Sequence, residues 1–109
     1  MQYSMITTAF TLDRFRITKD LGVVRGITVR SLSWGGMFKG TFQMLGGGQL
    51  KLFTGLCEKA RAEAFELMIK HAEELGANGI IGVRYDTTPL QELASEVLCY
   101  GTAVIAEPV

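Results

Sequence analysis

The 109-residue sequence predicts a single α+β domain, spanning residues 1–109, in which one long helix packs on an antiparallel sheet. Three observations predict this two-layer architecture. Residues 53–76 are rich in leucine, alanine, glutamate and lysine and contain no proline, which favours a helix. Runs of β-branched and aromatic residues precede that stretch, and similar runs follow it, and such runs favour strands. The predicted order is therefore strand, strand, short helix, long helix, strand, strand.

Two strands are predicted ahead of the long helix, at residues 4–12 and 23–31, with a charged connection between them. Gly26 interrupts the second strand, and an interior glycine indicates a bulge or the close approach of another backbone. Glycines alternate with large apolar side chains over 32–50, where a short helix is predicted to end at the glycines 46–48. The structure and role of this glycine-rich stretch stay open.

The long helix is predicted to begin after an N-cap at Thr54 and to end before Gly76, which suits the left-handed position that follows a helix. With about 100° between successive residues, its apolar side chains cover an arc wider than the ~100° stripe that one sheet requires. Leu67 lies within the arc, so its truncation to alanine is expected to cost roughly 2–5 kcal/mol. Arg61 projects from the same arc, where a charge requires a partner.

Two further strands are predicted after the helix, at 79–86 and 97–106, with a turn at the Thr-Thr-Pro sequence between them. Side chains alternate between the two faces of a strand. Ile81 and Val83 should therefore lie on the face under the helix. Ile80 and its alternates along the strand should lie on the opposite face.

Both faces of the predicted sheet are largely apolar, although the chain offers only one long helix to cover them. Soluble monomers usually avoid exposing several hundred Å² of contiguous apolar surface, so we expect a homo-oligomer. Arg84 and Asp86 should help to hold it together, because arginine–carboxylate pairs suit half-buried interfaces. Ligand binding by this pair is the alternative. The interface candidates are Arg61, Phe65, Ile69, Arg84 and Asp86.

Composition excludes several classes of partner. Eleven basic and eleven acidic residues cancel, so nucleic-acid binding is not expected. No apolar run approaches the ~18 residues of a membrane span. The N-terminal sequence MQYSMITTAFTLDRF lacks the basic and long apolar regions of an export signal, so a cytoplasmic location is expected. Cys57 and Cys99 should then be reduced thiols.

Metal binding, cofactor binding and nucleophilic catalysis find little support in the sequence. Cys57, Cys99 and His71 are the candidate ligands, but no CxxC or CxxH spacing joins them. Cys57 and His71 are ~21 Å apart along one helix and cannot touch within a chain, whereas contact between Cys99 and His71 stays open. The stretch GGMFKGT does not match a phosphate-binding P-loop. We therefore expect no enzymatic activity, no cofactor and no metal site.

Three stretches together give the chain a family resemblance: LGVVRGITVR, EKARAEAFELMIKHAEELGANGIIGVRYDT and EVLCYGTAVI. From Met5 to Glu107 the sequence resembles the YbjQ-like family of small bacterial and archaeal proteins. The resemblance implies a dodecin-like β-α-β-β core with extra short strands, assembled into a ring-shaped homopentamer. The family is often labelled heavy-metal-binding, and no catalytic residues carry over from it.

Three functions are therefore considered for the chain. The first, which we favour, is a non-enzymatic oligomeric ring that binds a small ligand or a protein partner. The second is a heavy-metal-binding protein, and metal analysis of untagged protein separates it from the others. The third is an enzyme whose site is shared between subunits, which would require two titratable groups facing each other at a subunit boundary.

Overall fold

A computed structural model describes residues 1–31, 47–91 and 94–109. After a single 3-10 turn at Tyr3–Met5, the strand β1 spans Phe15–Ser31 and the long helix α1 spans Gly47–Glu74. The strands β2, Gly79–Gln91, and β3, Ala94–Pro108, follow the helix. The three strands form one antiparallel sheet in the order β1-β3-β2, so β3 is central. The predicted α+β class, with one long helix on an antiparallel sheet, is confirmed.

The main core lies between α1 and one face of the sheet. On the helix it is built from an i, i+4 row of small or flexible side chains that face Val24 and Cys99 on the strands. The members of this row are fully or almost fully buried: Ala60, Ala64, Met68 and Ala72. Because three of the four are alanines, the helix backbone can lie close to the sheet.

Leu67 lies outside this core, with 45 % of its surface exposed. The prediction that its truncation would be costly is therefore wrong. The apolar arc is wider than the surface that the sheet covers, and the sheet contacts the row that contains Met68 instead. Gly26, by contrast, is confirmed as a point of close backbone approach, because it packs directly against the Ala64–Met68 turn of α1.

A smaller core lies on the opposite face of the sheet, under the N-terminal segment. Met5 and Leu12 are buried there against Val104 and Ala106 of β3. The predicted strand at 4–12 is wrong, because this segment consists of the 3-10 turn and bends, with one parallel bridge from Ile6 to β2. Thr7 and Ala9 make backbone hydrogen bonds with β2, but the 3-10 turn before them and the bends after them keep this contact too short for a strand.

Several predicted boundaries also move. β1 begins at Phe15, inside the predicted charged connection, where two register irregularities interrupt the alternation. α1 begins at Gly47, so Thr54 lies inside the helix and is not its N-cap. Each glycine costs a helix only about 1 kcal/mol, and helix-forming residues follow at once. The short helix predicted within 32–46 lies outside the described residues, while the left-handed Gly76 is confirmed by its φ of +83°.

β2 contains a bulge that reverses its alternation. Gly82 has a φ of +63°, and the pairing with β3 shifts between Ile81 and Arg84. Ile80 and Val83 therefore both face the helix, whereas Ile81 packs in the smaller core. The predicted sides of Ile80 and Ile81 are wrong for this reason, and that of Val83 is correct. β2 also continues through the predicted Thr-Thr-Pro turn, which an edge strand tolerates.

Candidate functional site

Arg84 binds the N-terminal segment at the edge of β2. Its guanidinium donates hydrogen bonds to the carbonyl oxygens of Thr8, at 2.9 Å, and Val83, at 2.8 Å. Its Cζ also lies 5.6 Å from the centre of the Phe10 ring. Backbone hydrogen bonds between the segment and β2 extend only as far as Val83. Arg84 therefore has a structural role within one chain, whatever it contributes between chains.

Asp86 is not paired with Arg84. It is exposed, and its carboxylate makes no hydrogen bond or ion pair with any other residue that the structure describes. In the sheet it lies opposite Leu98, as Arg84 lies opposite Tyr100. Both therefore occupy the sheet face away from α1, as predicted, but the structure does not join them.

The sheet face away from α1 is partly uncovered, and we call this uncovered part the open face. On β1 it carries three apolar side chains that alternate with the buried Val24: Val23, Ile27 and Val29, which are 70 %, 42 % and 54 % exposed. The neighbouring rows hold Leu98 and Tyr100 on β3, with Arg84 and Asp86 on β2. The predicted apolar second face is therefore present and is only partly covered by the N-terminal segment.

A second feature is a groove of about 410 Å³ beside α1, which we call the aromatic groove. It forms because α1 packs over β1 and β3 and leaves the helix-facing side of β2 partly uncovered. In the groove the Cζ of Arg61 lies 5.5 Å from the centre of the Tyr85 ring. The groove is lined mainly by Tyr3, Glu58, Arg61, Phe65, Glu66 and Tyr85.

Electrostatics in the aromatic groove reflect partial burial. Desolvation of the ring hydroxyl, aided by Cys99 and Glu58 and opposed by Arg61, raises the pKa of Tyr85 to about 12. The hydroxyl of Tyr3 donates a hydrogen bond to Glu66, which raises the pKa of Tyr3. Both phenols are therefore neutral donors at physiological pH.

The interface candidates Phe65 and Ile69 have contacts within the chain. Ile69 is only 5 % exposed, in the main core. Phe65 is half-buried, and its ring meets that of Tyr3 edge to face, with centroids 5.5 Å apart. Both side chains therefore have packing partners within the chain. Their place in an interface stays a prediction, as does that of Arg61.

The candidate metal and catalytic side chains are dispersed. Cys57 is exposed, whereas Cys99 is fully buried with its Sγ 3.6 Å from the Sδ of Met68, and burial raises the pKa of its thiol. His71 is half-buried, and its Nδ1 accepts a hydrogen bond from the backbone N–H of Arg25 at 3.2 Å. Among the described residues no group of three or more histidine, cysteine, aspartate or glutamate side chains could hold a metal ion.

Three aromatic residues at these sites are not among the candidates that the sequence suggests: Tyr3, Phe10 and Tyr85. Tyr85 lies on the helix-facing side of β2, opposite Cys99, but nothing local in the sequence shows that the helix stops short of it. A tyrosine in a predicted core is itself a signal, because its hydroxyl requires a polar neighbour or water. Within the described ranges, no helix is long and apolar enough to cross a membrane.

Comparisons with known proteins agree over nearly the whole chain. A YbjQ family model, described as "Putative heavy-metal-binding", matches residues 4–107. A UPF0145 protein of Chromobacterium violaceum is 54 % identical over 104 residues, covering 95 % of this chain and 89 % of that protein. A UPF0145 protein of Solibacter usitatus is 47 % identical over 106 residues, covering 97 % of this chain and 95 % of the relative.

The fold is also found in a solved structure. A protein of unknown function from the DUF74 family of Pediococcus pentosaceus superposes with a TM-score of 0.61 at 21 % identity, covering 97 % of this chain and all of that one. Such a likeness concerns the fold alone. The family model and the relatives also establish the family: the chain belongs to the YbjQ family, and its relatives compared above bear the name UPF0145.

Proposed function

We propose that the protein is a non-enzymatic, self-assembling protein whose copies join head to tail into a ring, with a pentamer as the number that the family resemblance implies. The observation that carries the proposal is the elongated shape of the chain. Its radius of gyration is 17.1 Å and its extents are 55 × 24 × 17 Å. A compact domain of this length has a radius of gyration of about 13 Å.

The exposed strand surfaces suit a second copy of the chain. Among the described residues, β1 lies at one edge of the sheet without a further partner strand. β2 lies at the other edge, where the N-terminal segment covers its backbone only as far as Val83. An uncovered strand edge is a template for pairing with another chain. The open face beside these edges supplies the apolar surface that an interface core requires.

Charge favours contact between unlike edges. On the open face, Arg25 lies on β1 at one edge of the sheet, whereas Asp86 lies on β2 at the other edge. When β1 of one copy meets β2 of the next, Arg25 can pair with Asp86, whose neighbour Arg84 is already bonded to the carbonyl oxygens of Thr8 and Val83. When two β1 edges meet, one Arg25 faces another. Contact between unlike edges is heterologous, and such contacts close into rings under cyclic symmetry.

Self-association is tested by the mass of the particle in solution. Light scattering of the purified protein should give a single multiple of the 11.9 kDa chain. Val23→Lys should shift the particle to smaller masses, because it puts a charge on the open face. Val109→Lys is the matched control, since Val109 is 88 % exposed at the C-terminus, and its mass should be unchanged. A wild-type monomer at micromolar concentration would defeat the proposal.

Arg84 and Asp86 should behave differently when replaced by alanine. Arg84→Ala should lower the free energy of unfolding, because the N-terminal segment loses two hydrogen bonds of about 1 kcal/mol each or more. Asp86→Ala should leave the fold intact and weaken the assembly. Thermal unfolding and light scattering measure the two effects. If Asp86→Ala remains equally stable and fully assembled, the residue belongs to ligand binding and not to an interface.

Heavy-metal binding, which the family description suggests, fits the described residues poorly. A soft metal site needs several convergent thiolates, imidazoles or thioethers. Here the pair of sulfur atoms at Cys99 and Met68 has no third ligand among the described side chains, and burial keeps the thiol protonated. Outside the described residues, the sequence adds the carboxylate of Glu92 and the thioethers of Met37 and Met44, but no further thiol or imidazole.

We therefore expect no stoichiometric metal binding. Reduced, untagged protein should be titrated with zinc and with copper(I), and binding should be weaker than micromolar. Cys57→Ser and Cys99→Ser serve as paired variants, one at an exposed thiol and one at a buried thiol. Tight binding that disappears in either variant would overturn this expectation and restore the metal function.

A further inference from the structure

We propose that the aromatic groove binds a small aromatic carboxylate, with the guanidinium of Arg61 as the partner of the anion. The rings of Tyr3, Phe65 and Tyr85 would form the apolar walls around the aromatic part of the ligand. This goes beyond self-assembly, because the groove lies on the helix side of the sheet and the open face lies on the other side. It requires that Arg61 and Phe65 stay accessible in the assembled protein and are therefore not interface residues.

The groove has the size and composition of a ligand site. Its volume of about 410 Å³ falls within the roughly 300–1,000 Å³ typical of small-molecule pockets. Three of its seven lining residues are aromatic, and edge-to-face packing of Tyr3 against Phe65 fixes one wall. Aromatic walls with a few convergent polar groups are the usual surroundings of a bound planar ligand.

Arg61, one turn before Phe65 on α1, carries the charge that selects the ligand. Arg61 lies over the ring of Tyr85, which orients the guanidinium, and it makes no ion pair with any side chain in the described parts of the chain. Arginine binds carboxylates through two parallel hydrogen bonds. The Tyr85 side chain contributes its ring to this part of the groove, because its hydroxyl interacts with the buried Cys99.

The acidic residues of the groove do not favour a cationic ligand. The carboxylate of Glu66 already accepts the hydroxyl of Tyr3. Glu58 is exposed and remains available, but a cation entering the groove would meet Arg61 on the face of Tyr85 that a cation would otherwise occupy. An anion is repelled by Glu58 and Glu66, but a carboxylate on Arg61 gains two parallel hydrogen bonds to the guanidinium. We infer a carboxylate and not an ammonium group because those two bonds outweigh the repulsion.

Benzoate is the probe that tests the proposal, by ligand-observed NMR on the full-length assembled protein. Benzoate should bind, whereas cyclohexanecarboxylate, which lacks the ring, and benzyl alcohol, which lacks the charge, should each bind at least about tenfold more weakly. Arg61→Gln should weaken benzoate binding by at least about tenfold. Arg16→Gln is the matched control, because Arg16 is exposed and pairs only with Glu107 at the end of the sheet, and it should bind benzoate as the wild type does.

Three results would overturn the proposal. They are no detectable benzoate binding at about 10 mM, unchanged binding in Arg61→Gln, or tighter binding of benzyltrimethylammonium than of benzoate. The last result would mean that Glu58 and the rings form a cation site. Light scattering of the same samples keeps this test separate from self-assembly, because the proposed ligand site can fail while the particle mass is unchanged, and the reverse is also true.

Discussion

Gly26→Ala is expected to remove most of the stability of the fold. A Cβ atom at this position would lie 2.0 Å from the carbonyl oxygen of Ala64 and 2.5 Å from the backbone nitrogen of Met68. Both atoms belong to the backbone of α1, so no side-chain rotation relieves the contact. The helix would have to move away from the sheet and open the main core. We expect a loss of about 3 kcal/mol or more in the free energy of unfolding, at or beyond the upper end of overpacking effects.

Gly55→Ala is the matched control for this substitution. Gly55 lies within α1, and a Cβ atom there would have no neighbour within 4 Å. Alanine should stabilise the helix by roughly 0.5–1 kcal/mol, because glycine is the poorer helix former. Urea unfolding monitored by circular dichroism compares the two variants. If Gly26→Ala costs less than about 1 kcal/mol, the close contact between β1 and α1 is wrong.

Met68→Ala is expected to be the more damaging of two adjacent truncations on α1. Met68 is fully buried against Cys99 and the sheet, so its truncation should leave a cavity and cost roughly 2–5 kcal/mol. Leu67 is 45 % exposed, so Leu67→Ala should cost less than about 1 kcal/mol. Thermal or urea unfolding of the two variants gives the comparison. Equal losses, or a larger loss at Leu67, would mean that α1 is rotated about its axis relative to this structure.

The candidate sites show the limits of sequence reasoning most clearly. Arg84 and Asp86 are candidates because their opposite charges lie two residues apart on one strand. The prediction that they share one face of the sheet is correct. Sequence spacing could not show that Arg84 reaches the carbonyl of Thr8, since that contact joins residues 76 positions apart. Sequence spacing could not show the aromatic groove either, because Tyr3, Phe65 and Tyr85 come from three separate segments of the chain.

The sequence by itself determined the class of the fold and the positions of a helix end and a close backbone contact. A helix-forming composition without proline specified α1, and β-branched runs specified part of each strand. Gly26 marked the close approach of the helix backbone, and Gly76 marked the end of the helix. These features are local, because propensity, periodicity and the steric freedom of glycine act over a few residues.

Tertiary structure alone decided which apolar side chains became core. The bulge at Gly82 reversed the sides of Ile80 and Ile81, and the sheet selected the row of Met68 over Leu67. The N-terminal segment, which was predicted to be a strand, instead covers part of the sheet face away from α1. Each outcome depends on contacts between residues far apart in the chain. A local pattern cannot predict these contacts, because a side chain is buried only where another element packs over it.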